Sequence, residues 1–175
     1  MEGSNGIDLE VARPQEKWQH AQESVTRMWP LDLKSFEEYV YKGRRTTMEE
    51  MQYIEGYMLP KLKHLIGQKK DFYTFWLGVN QKWEILTEFV FKGEPDKDGM
   101  VEIGCHTPEK MRNKGYMTQA VRMMSVIAKG MGVKGFVAFT KNKASIRALA
   151  KCEFELAELG TGGEKNGEKK YIKIL

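Results

Sequence analysis

The hydrophobic pattern divides the chain into a helical first part and a longer region of alternating strands and helices. Runs rich in β-branched and aromatic residues predict strands at 71–79, 83–91, 100–106, 133–140, 154–159 and 170–174. Between them, apolar residues at helical spacing predict helices at 115–131 and 143–151. The methionines of the first of these helices share its apolar face, so we expect them in the core rather than at a ligand site.

The first 67 residues carry a different pattern, which is mostly helical after a short predicted strand at 7–12. Helical spacing connects Trp18, Ala21, Val25 and Met28. A second short helix is predicted near 35–40. Thr47 and Glu50 form a capping-box pattern that predicts a further helix, in which the hydroxyl and the carboxylate satisfy end N–H groups. Pro60 is expected to kink or stop that helix.

This order of elements predicts an α/β (α+β) fold with a mixed sheet in one domain of 175 residues. Hydrophobic residues make up 41% and charged residues 30% of the chain, as in ordinary globular proteins. No apolar run reaches the roughly 18 residues needed to cross a bilayer, and the N-terminus has no signal pattern. We therefore expect a cytoplasmic protein with no membrane partner.

The two cysteines and the net charge exclude some classes of site. Cys105 and Cys152 lack zinc-site spacing, so we expect free thiols and no metal site, with Cys105 buried in its strand. A net charge of +4 suits an anionic ligand. No nucleic-acid-binding motif accompanies it, so no nucleic-acid partner is expected.

A basic loop containing one glycine joins the predicted strand at 100–106 to the helix at 115–131. It reads Arg112-Asn113-Lys114-Gly115-Tyr116-Met117-Thr118. A helix start has unpaired N–H groups and partial positive charge, which favour a phosphate. Gly115 can adopt a positive φ or let a ligand approach closely, and Arg112 and Lys114 add charge. The loop predicts a phosphate or pyrophosphate ligand, and so a nucleotide-like cofactor, although many such turns bind nothing.

A second motif follows the predicted strand at 133–140 and contains Asn142, Ser145, Arg147, Lys151 and Phe154. With Arg112, Gly115 and Met117, it resembles the GNAT acetyltransferase superfamily, and most of all its Rim-type branch of ribosomal-protein N-terminal acetyltransferases. The resemblance covers 101–159. Met117 replaces the usual Gly or Ala, and Glu153 replaces the usual Gly at the helix exit, where a positive φ costs about 1 kcal/mol.

The resemblance implies acetyl-CoA as co-substrate, bound at a central splay of a mixed, mainly antiparallel sheet flanked by helices. The splay would open between the strands at 100–106 and 133–140. The residues that this implies for cofactor binding are Cys105, His106, Arg112, Asn113, Lys114, Gly115, Tyr116, Met117, Thr118, Asn142 and Ser145. Asn142 and Ser145 can equally be a helix cap and a first-turn residue, and Thr118 can cap its own helix.

The implied reaction is direct attack of a primary amine on the thioester. Glu102 is the candidate general base, although it can equally pair with a cation, and His106 is a second candidate. Some relatives supply a tyrosine as the acid where this chain has Leu149. Ser145 is therefore the candidate proton donor to the leaving thiolate, with Tyr116 as a weaker alternative.

The acceptor is less determined than the cofactor. The resemblance assigns 1–67 to the acceptor side, 71–159 to the sheet and acetyl-CoA core, and 160–175 to a terminal hairpin. A protein N-terminal amine is the first expectation, on family analogy alone. A small-molecule amine, or acyl-CoA binding without turnover, are the alternatives, and the sequence leaves open whether the chain forms a homodimer.

Overall fold

The computed structural model describes residues 24–157, 164–165 and 167–175. The predicted strand at 7–12 and the start of the predicted helix at Trp18 lie outside the described residues, as does most of the glycine-rich segment 160–167. Among the helices of the described residues, none combines the length and the apolar character needed to span a bilayer.

Eight strands of the described residues form one mixed sheet. They are β1 Arg27–Pro30, β2 Phe75–Val79, β3 Ile85–Phe91, β4 Met100–His106, β5 Gly135–Thr140, β6 Glu155–Leu156, β7 Glu164–Lys165 and β8 Glu168–Ile174. Their order is β1-β2-β3-β4-β5-β8-β6, with β7 paired to β8 as a hairpin. Only β4 and β5 are parallel among these pairs, so the sheet is mainly antiparallel, as predicted.

The sheet splays open between β4 and β5. These strands pair only from Met100 to Glu102 on one side and from Gly135 to Val137 on the other. Beyond that point β4 continues to His106 in pairing with β3, while β5 continues to Thr140 in pairing with β8. The two strands therefore part in the middle of the sheet, which confirms the predicted splay and leaves their carboxyl ends unpaired with each other.

Five helices flank this sheet within the described residues. They are α1 Leu33–Glu38, α2 Met48–Tyr53, α3 Leu59–His64, α4 Tyr116–Gly130 and α5 Lys143–Lys151. Two apolar clusters accompany them: one joins α4 and α5 to the sheet, and the other joins α1–α3 mainly to β2. Met124 in α4 is fully buried and the other methionines of its face pack against the first cluster, as predicted.

The prediction of a helix running to Met28 is wrong. Met28 lies in β1, where it pairs with Gly78 of β2. Its side chain and that of Val25 are buried together in the first cluster. A four-residue strand is too short to show the alternation typical of strands. The helical spacing of the apolar residues was therefore the stronger pattern in the sequence.

The expected stop at Pro60 is also wrong, because the chain continues as helix to His64. A π-helical turn at Ile54–Met58 precedes the proline, and Leu59 N–H bonds the Ile54 carbonyl. The proline then falls in the first turn of α3, where its missing N–H is tolerated. The irregular hydrogen bonding therefore lies in the π turn that precedes the proline.

The strands β2 and β3 both begin later than predicted. A 3-10 helix covers Gly67–Tyr73, so β2 begins at Phe75 rather than at residue 71. The turn after β2 is longer than two residues, because the Asn80 side chain accepts the N–H groups of Lys82 and Glu84. Local hydrogen bonds of this kind compete with the strand ladder.

The exit of α5 takes the left-handed conformation at Glu153, with φ 64°, as the departure from glycine predicted. Two backbone hydrogen bonds close the helix end, from Glu153 N–H to Ala150 and from Phe154 N–H to Leu149. The Glu153 carboxylate accepts from Lys173 Nζ at 2.9 Å. The exit therefore keeps a positive φ without a glycine.

The capping box of α2 supplies a first stability prediction. Thr47 Oγ1 accepts the Glu50 N–H at 3.2 Å, and the Glu50 carboxylate accepts the Thr47 N–H at 2.8 Å. Thr47→Ala is expected to lower the free energy of unfolding by about 1 kcal/mol. Chemical denaturation checks this, and Thr47→Ser, which retains the hydroxyl, should stay near wild type. Equal stability of both variants would contradict the capping assignment.

Candidate active site

The loop before α4 is folded so that its helix start is open. Gly115 is the N-cap of α4 in the left-handed conformation, with φ 81°. A Cβ built on it would meet no protein atom within 4 Å apart from its chain neighbours. Arg112 Nε donates to the Thr107 carbonyl at 3.1 Å, which ties the loop to the end of β4. The first N–H groups of α4 therefore face open space beside a glycine, as an anion site requires.

A cavity of about 490 Å³ brings both sequence motifs together. It lies between the end of β4, the start of α4 and the start of α5, where the sheet splays. Its lining includes all the predicted cofactor-binding residues except Lys114. Lys114 is exposed and lies outside the lining, so it can contribute only long-range charge. The two motifs, about thirty residues apart in sequence, thus form the walls of one groove.

Two of the predicted cofactor residues have their side chains turned to the core. Tyr116 is buried at 3% exposure within the first apolar cluster. Met117 is half-buried and packs against the same cluster. These residues offer mainly their backbone N–H groups to the cavity, so the methionine that replaces Gly or Ala does not fill the groove.

Asn142 caps α5 and also lines the cavity. Its Oδ1 accepts the N–H groups of Ala144 at 2.8 Å and Ser145 at 3.1 Å. Ser145 is half-buried in the first helical turn. The cap occupies the Asn142 carbonyl oxygen, so its amide NH₂ remains the group suited to a ligand.

A second cavity, of about 420 Å³, lies on the acceptor side. Its walls come from α2, the π turn that follows it, β3 and β4. Cys105 and His106 line both cavities. Among the described residues, five carboxylates line this second cavity: Glu49, Glu50, Glu88, Glu102 and Glu168. Two separate openings therefore meet at the end of β4.

Glu102, the predicted base, lies on the wall of the acceptor cavity. Its Oε1 accepts from Lys92 Nζ at 2.9 Å, so the alternative of pairing with a cation is also realised. It precedes His106 by four residues on β4, or about 13 Å along the strand. Glu102 thus lies at the closed end of the splay rather than at the point where the cavities meet.

Sequence reasoning missed the most buried carboxylate of the site. Glu88 of β3 accepts Arg44 Nε at 2.8 Å and Nη2 at 3.0 Å, and it accepts the Tyr39 hydroxyl at 2.9 Å. Burial, followed by the charge of Glu88, raises the pKa of Tyr39, so its hydroxyl stays a donor. Arg44 also donates to Glu50 at 3.0 Å. The one sequence signal that indicated Glu88 was the presence of a glutamate inside the apolar run 85–91.

Cys105 is half-buried rather than buried as expected, because it lies at the meeting point of the two cavities, and its thiol is free. Burial of the sulfur raises the pKa of the Cys105 thiol well above its usual range. A protonated thiol is a poor nucleophile. The Cys105 thiol is therefore poorly suited to covalent chemistry, which leaves its backbone as the part that can act in the site.

A labelling prediction follows from the raised pKa of Cys105. Alkylation by a small maleimide at neutral pH is expected to be slower than that of free cysteine, because less thiolate forms, and to accelerate as pH rises. Peptide mapping after timed labelling measures the rate at each cysteine. Labelling of Cys105 as fast as a free thiol would contradict the raised pKa of this thiol.

Comparisons with known proteins agree with this geometry. Residues 15–155 match the family model described as acetyltransferase (GNAT) domain. A search of curated proteins finds no match. Among solved structures, the chain is similar to RimL, a ribosomal L7/L12 α-N-protein acetyltransferase in complex with coenzyme A. That likeness has 16% identity and a TM-score of 0.56, over 85% of this chain and 93% of the other.

Two further structures share the fold at low identity. A putative ribosomal-protein-serine acetyltransferase from Vibrio cholerae is 11% identical with a TM-score of 0.56, over 87% of this chain and 99% of the other. An N-acetyltransferase from Staphylococcus aureus is 17% identical with a TM-score of 0.53, over 85% and 97%. Because the family model spans most of the sequence, the chain belongs to the GNAT acetyltransferase family, whose members use acetyl-CoA as co-substrate.

Proposed function

We propose that this acetyltransferase moves the acetyl group to a primary amine at the point where its two cavities meet. The observation that carries the proposal is that Cys105 and His106 line both cavities. A cofactor in one opening and an amine in the other can therefore reach each other at the end of β4. We also propose that 1–175 form one acetyltransferase domain, in which 1–67 serve the acceptor, 71–159 the cofactor and 160–175 a terminal hairpin.

The groove between α4 and α5 suits acetyl-CoA. The open N–H groups of Asn113 to Met117 would hold the pyrophosphate, with Arg112 and Lys114 adding positive charge. Asn142 and Ser145 would contact the pantetheine arm. The unpaired end of β4 leaves backbone groups near Cys105 and His106 free of β5, so that the arm can add to the strand edge.

The reaction forms a C–N bond and breaks the C–S bond of the thioester. The attacking amine must be neutral and loses a proton during transfer, while the departing thiolate gains one. Glu102 lines the acceptor cavity about 13 Å along β4 from His106, so as the proposed base it would take the proton through water in that cavity. Ser145 is the proposed donor to the thiolate. Backbone N–H groups near the end of β4 would stabilise the negative charge that develops on the thioester oxygen.

Two acceptor classes have separate support. The two motifs of the Rim-type branch favour a protein N-terminal amine. The carboxylates that line the acceptor cavity favour a small-molecule amine, because an acidic pocket attracts ammonium ions. Both are primary amines, so the chemistry at the thioester is the same.

Release of coenzyme A thiol in the presence of candidate amines tests the proposed reaction. Peptides with varied first residues form one arm, and linear or cyclic polyamines form the other. We expect acetylated product, identified by mass, in one arm above the rate of spontaneous hydrolysis. Binding of acetyl-CoA with no product in either arm would contradict amine transfer.

Replacement of the proposed base gives a pH-dependent prediction. Glu102→Gln is expected to lower kcat at neutral pH by about tenfold to a hundredfold, because the amine must then lose its proton without help. The loss should shrink as pH rises toward the pKa of the acceptor amine, which then supplies its own neutral form. A loss of kcat that is constant from neutral to alkaline pH would contradict the role of Glu102 as base and leave it only its structural pairing with Lys92.

A further inference from the structure

Glu88 is an acidic side chain in the interior of the acceptor side. Its side chain is only 4% exposed, yet it lines the acceptor cavity. Taking a carboxylate out of water is costly unless its oxygens are well bonded. Oε2 accepts from the Tyr39 hydroxyl and from Arg44 Nε, whereas Oε1 accepts from Arg44 Nη2. Both oxygens are held in fixed positions, and Oε1 retains capacity for another donor.

The network around Glu88 is not electrically balanced. Arg44 bonds two carboxylates, those of Glu88 and Glu50, so the group carries one excess negative charge. Lys92, another cation of the cavity lining, is paired with Glu102. Coulombic attraction is stronger where water is partly excluded. The inner wall of the cavity therefore attracts a positively charged group.

Strand register places this carboxylate beside the reacting centre. Glu88 pairs directly with His106 across β3 and β4. His106 is one of the two residues shared by the cofactor and acceptor cavities. Directly paired residues in an antiparallel sheet have Cα atoms about 5 Å apart. Glu102, in contrast, lies about 13 Å further along β4.

We propose that Glu88, held by Arg44 and Tyr39, is the specificity-determining residue that binds the ammonium form of the acceptor. The inference rests on the proposed function, in which the amine enters this cavity. The ammonium group donates a hydrogen bond to Glu88 Oε1 on arrival, and the amine then loses one proton, through water, to the proposed base Glu102 before it attacks. Glu88 thereby selects amines that are cationic at neutral pH over neutral molecules of the same shape.

A binding experiment on the coenzyme A-saturated protein tests this assignment. The probes are putrescine, a linear diammonium ion, and butanediol, its neutral counterpart. Wild type should bind putrescine saturably and discriminate against the diol. Glu88→Gln is expected to weaken putrescine binding by about tenfold or more, since a charge-assisted hydrogen bond is lost. Glu88→Asp keeps the charge and should retain much of the preference.

The controls separate specificity from folding. Glu38→Gln removes an exposed carboxylate of α1 that pairs with Lys42 at the surface, and should bind putrescine as wild type does. The double variant Arg44→Met with Glu88→Gln removes both buried charges and is the one to use if Glu88→Gln alone does not fold. It should keep coenzyme A binding and lose the preference for the cation.

The binding results separate the role of Glu88 from the proposed acetyl transfer. Equal putrescine affinity in wild type and in folded Glu88→Gln would overturn the role of Glu88, as would a wild type that fails to discriminate the diamine from the diol. Failure of wild type to bind coenzyme A would instead overturn the proposed function. Coenzyme A binding is therefore measured first, in every variant.

Discussion

Gly115→Val is expected to weaken acetyl-CoA binding by about a hundredfold, the equivalent of one or two charge-assisted hydrogen bonds. No protein atom lies within 4 Å of the position that a Cβ would take, so the side chain enters the open space in front of the helix start. That space is where the pyrophosphate must approach the N–H groups of α4. Calorimetric titration with acetyl-CoA measures the loss.

The matched control for this variant is Gly132→Val at the other end of α4. Gly132 has φ 85° and Gly115 has φ 81°, and neither has a protein atom within 4 Å of its Cβ position. Both substitutions therefore impose similar left-handed strain, at least about 1 kcal/mol. Gly132 does not line the cofactor cavity. An equal loss of affinity in the two variants would mean that strain, and not the phosphate site, explains the effect.

Arg44→Met is expected to lower the free energy of unfolding by about 3–5 kcal/mol, because it leaves Glu88 buried without its cation. Arg44 is itself 8% exposed at the side chain and lies over the Phe75 ring at 5.1 Å. Chemical denaturation measures the effect. Arg44→Met combined with Glu88→Gln should recover most of the loss, since no unpaired buried charge remains and Glu50 is 44% exposed at its side chain. A single variant within about 1 kcal/mol of wild type would contradict a buried ion pair.

The network of Arg44, Glu50 and Glu88 also makes the stability of the fold depend on pH. Burial acts to raise the pKa of Glu50, but hydrogen bonds from Arg44 and Thr47 outweigh it and leave that pKa below the ordinary 4.5. Stability from this carboxylate is therefore present above the unfolded pKa and is lost as pH falls through the lower folded pKa. Arg44→Met should show a smaller loss in acid than wild type, measured by denaturation at a series of pH values.

The cofactor half of the site was predictable because its signals are local. The strand at 100–106 and the helix at 143–151 were predicted with the bounds that the structure shows, and the intervening helix within one residue. Each carries a strong apolar period and a turn or cap at its ends. Gly115 and Asn142 then placed the two walls of the groove, since both are helix-start residues whose geometry is fixed within a few residues.

The acceptor half was not predictable because its contacts are distant in sequence. Arg44 and Glu88 are separated by 44 residues, and neither matches a motif. The strand containing Met28 was missed since its four residues are too few for alternation, and the π turn before Pro60 has no sequence period of its own. Such features depend on tertiary packing, which overrides local preference.

A crystal structure of the protein with coenzyme A would show whether cofactor and acceptor meet at the end of β4. We expect the pyrophosphate at the N–H groups of α4 beside Gly115, and the thiol between the two cavities at Cys105 and His106. The acceptor cavity lined by Glu88 should remain open to solvent beyond the thiol. Coenzyme A bound away from the start of α4, or a thiol that does not reach the acceptor cavity, would contradict transfer at this meeting point.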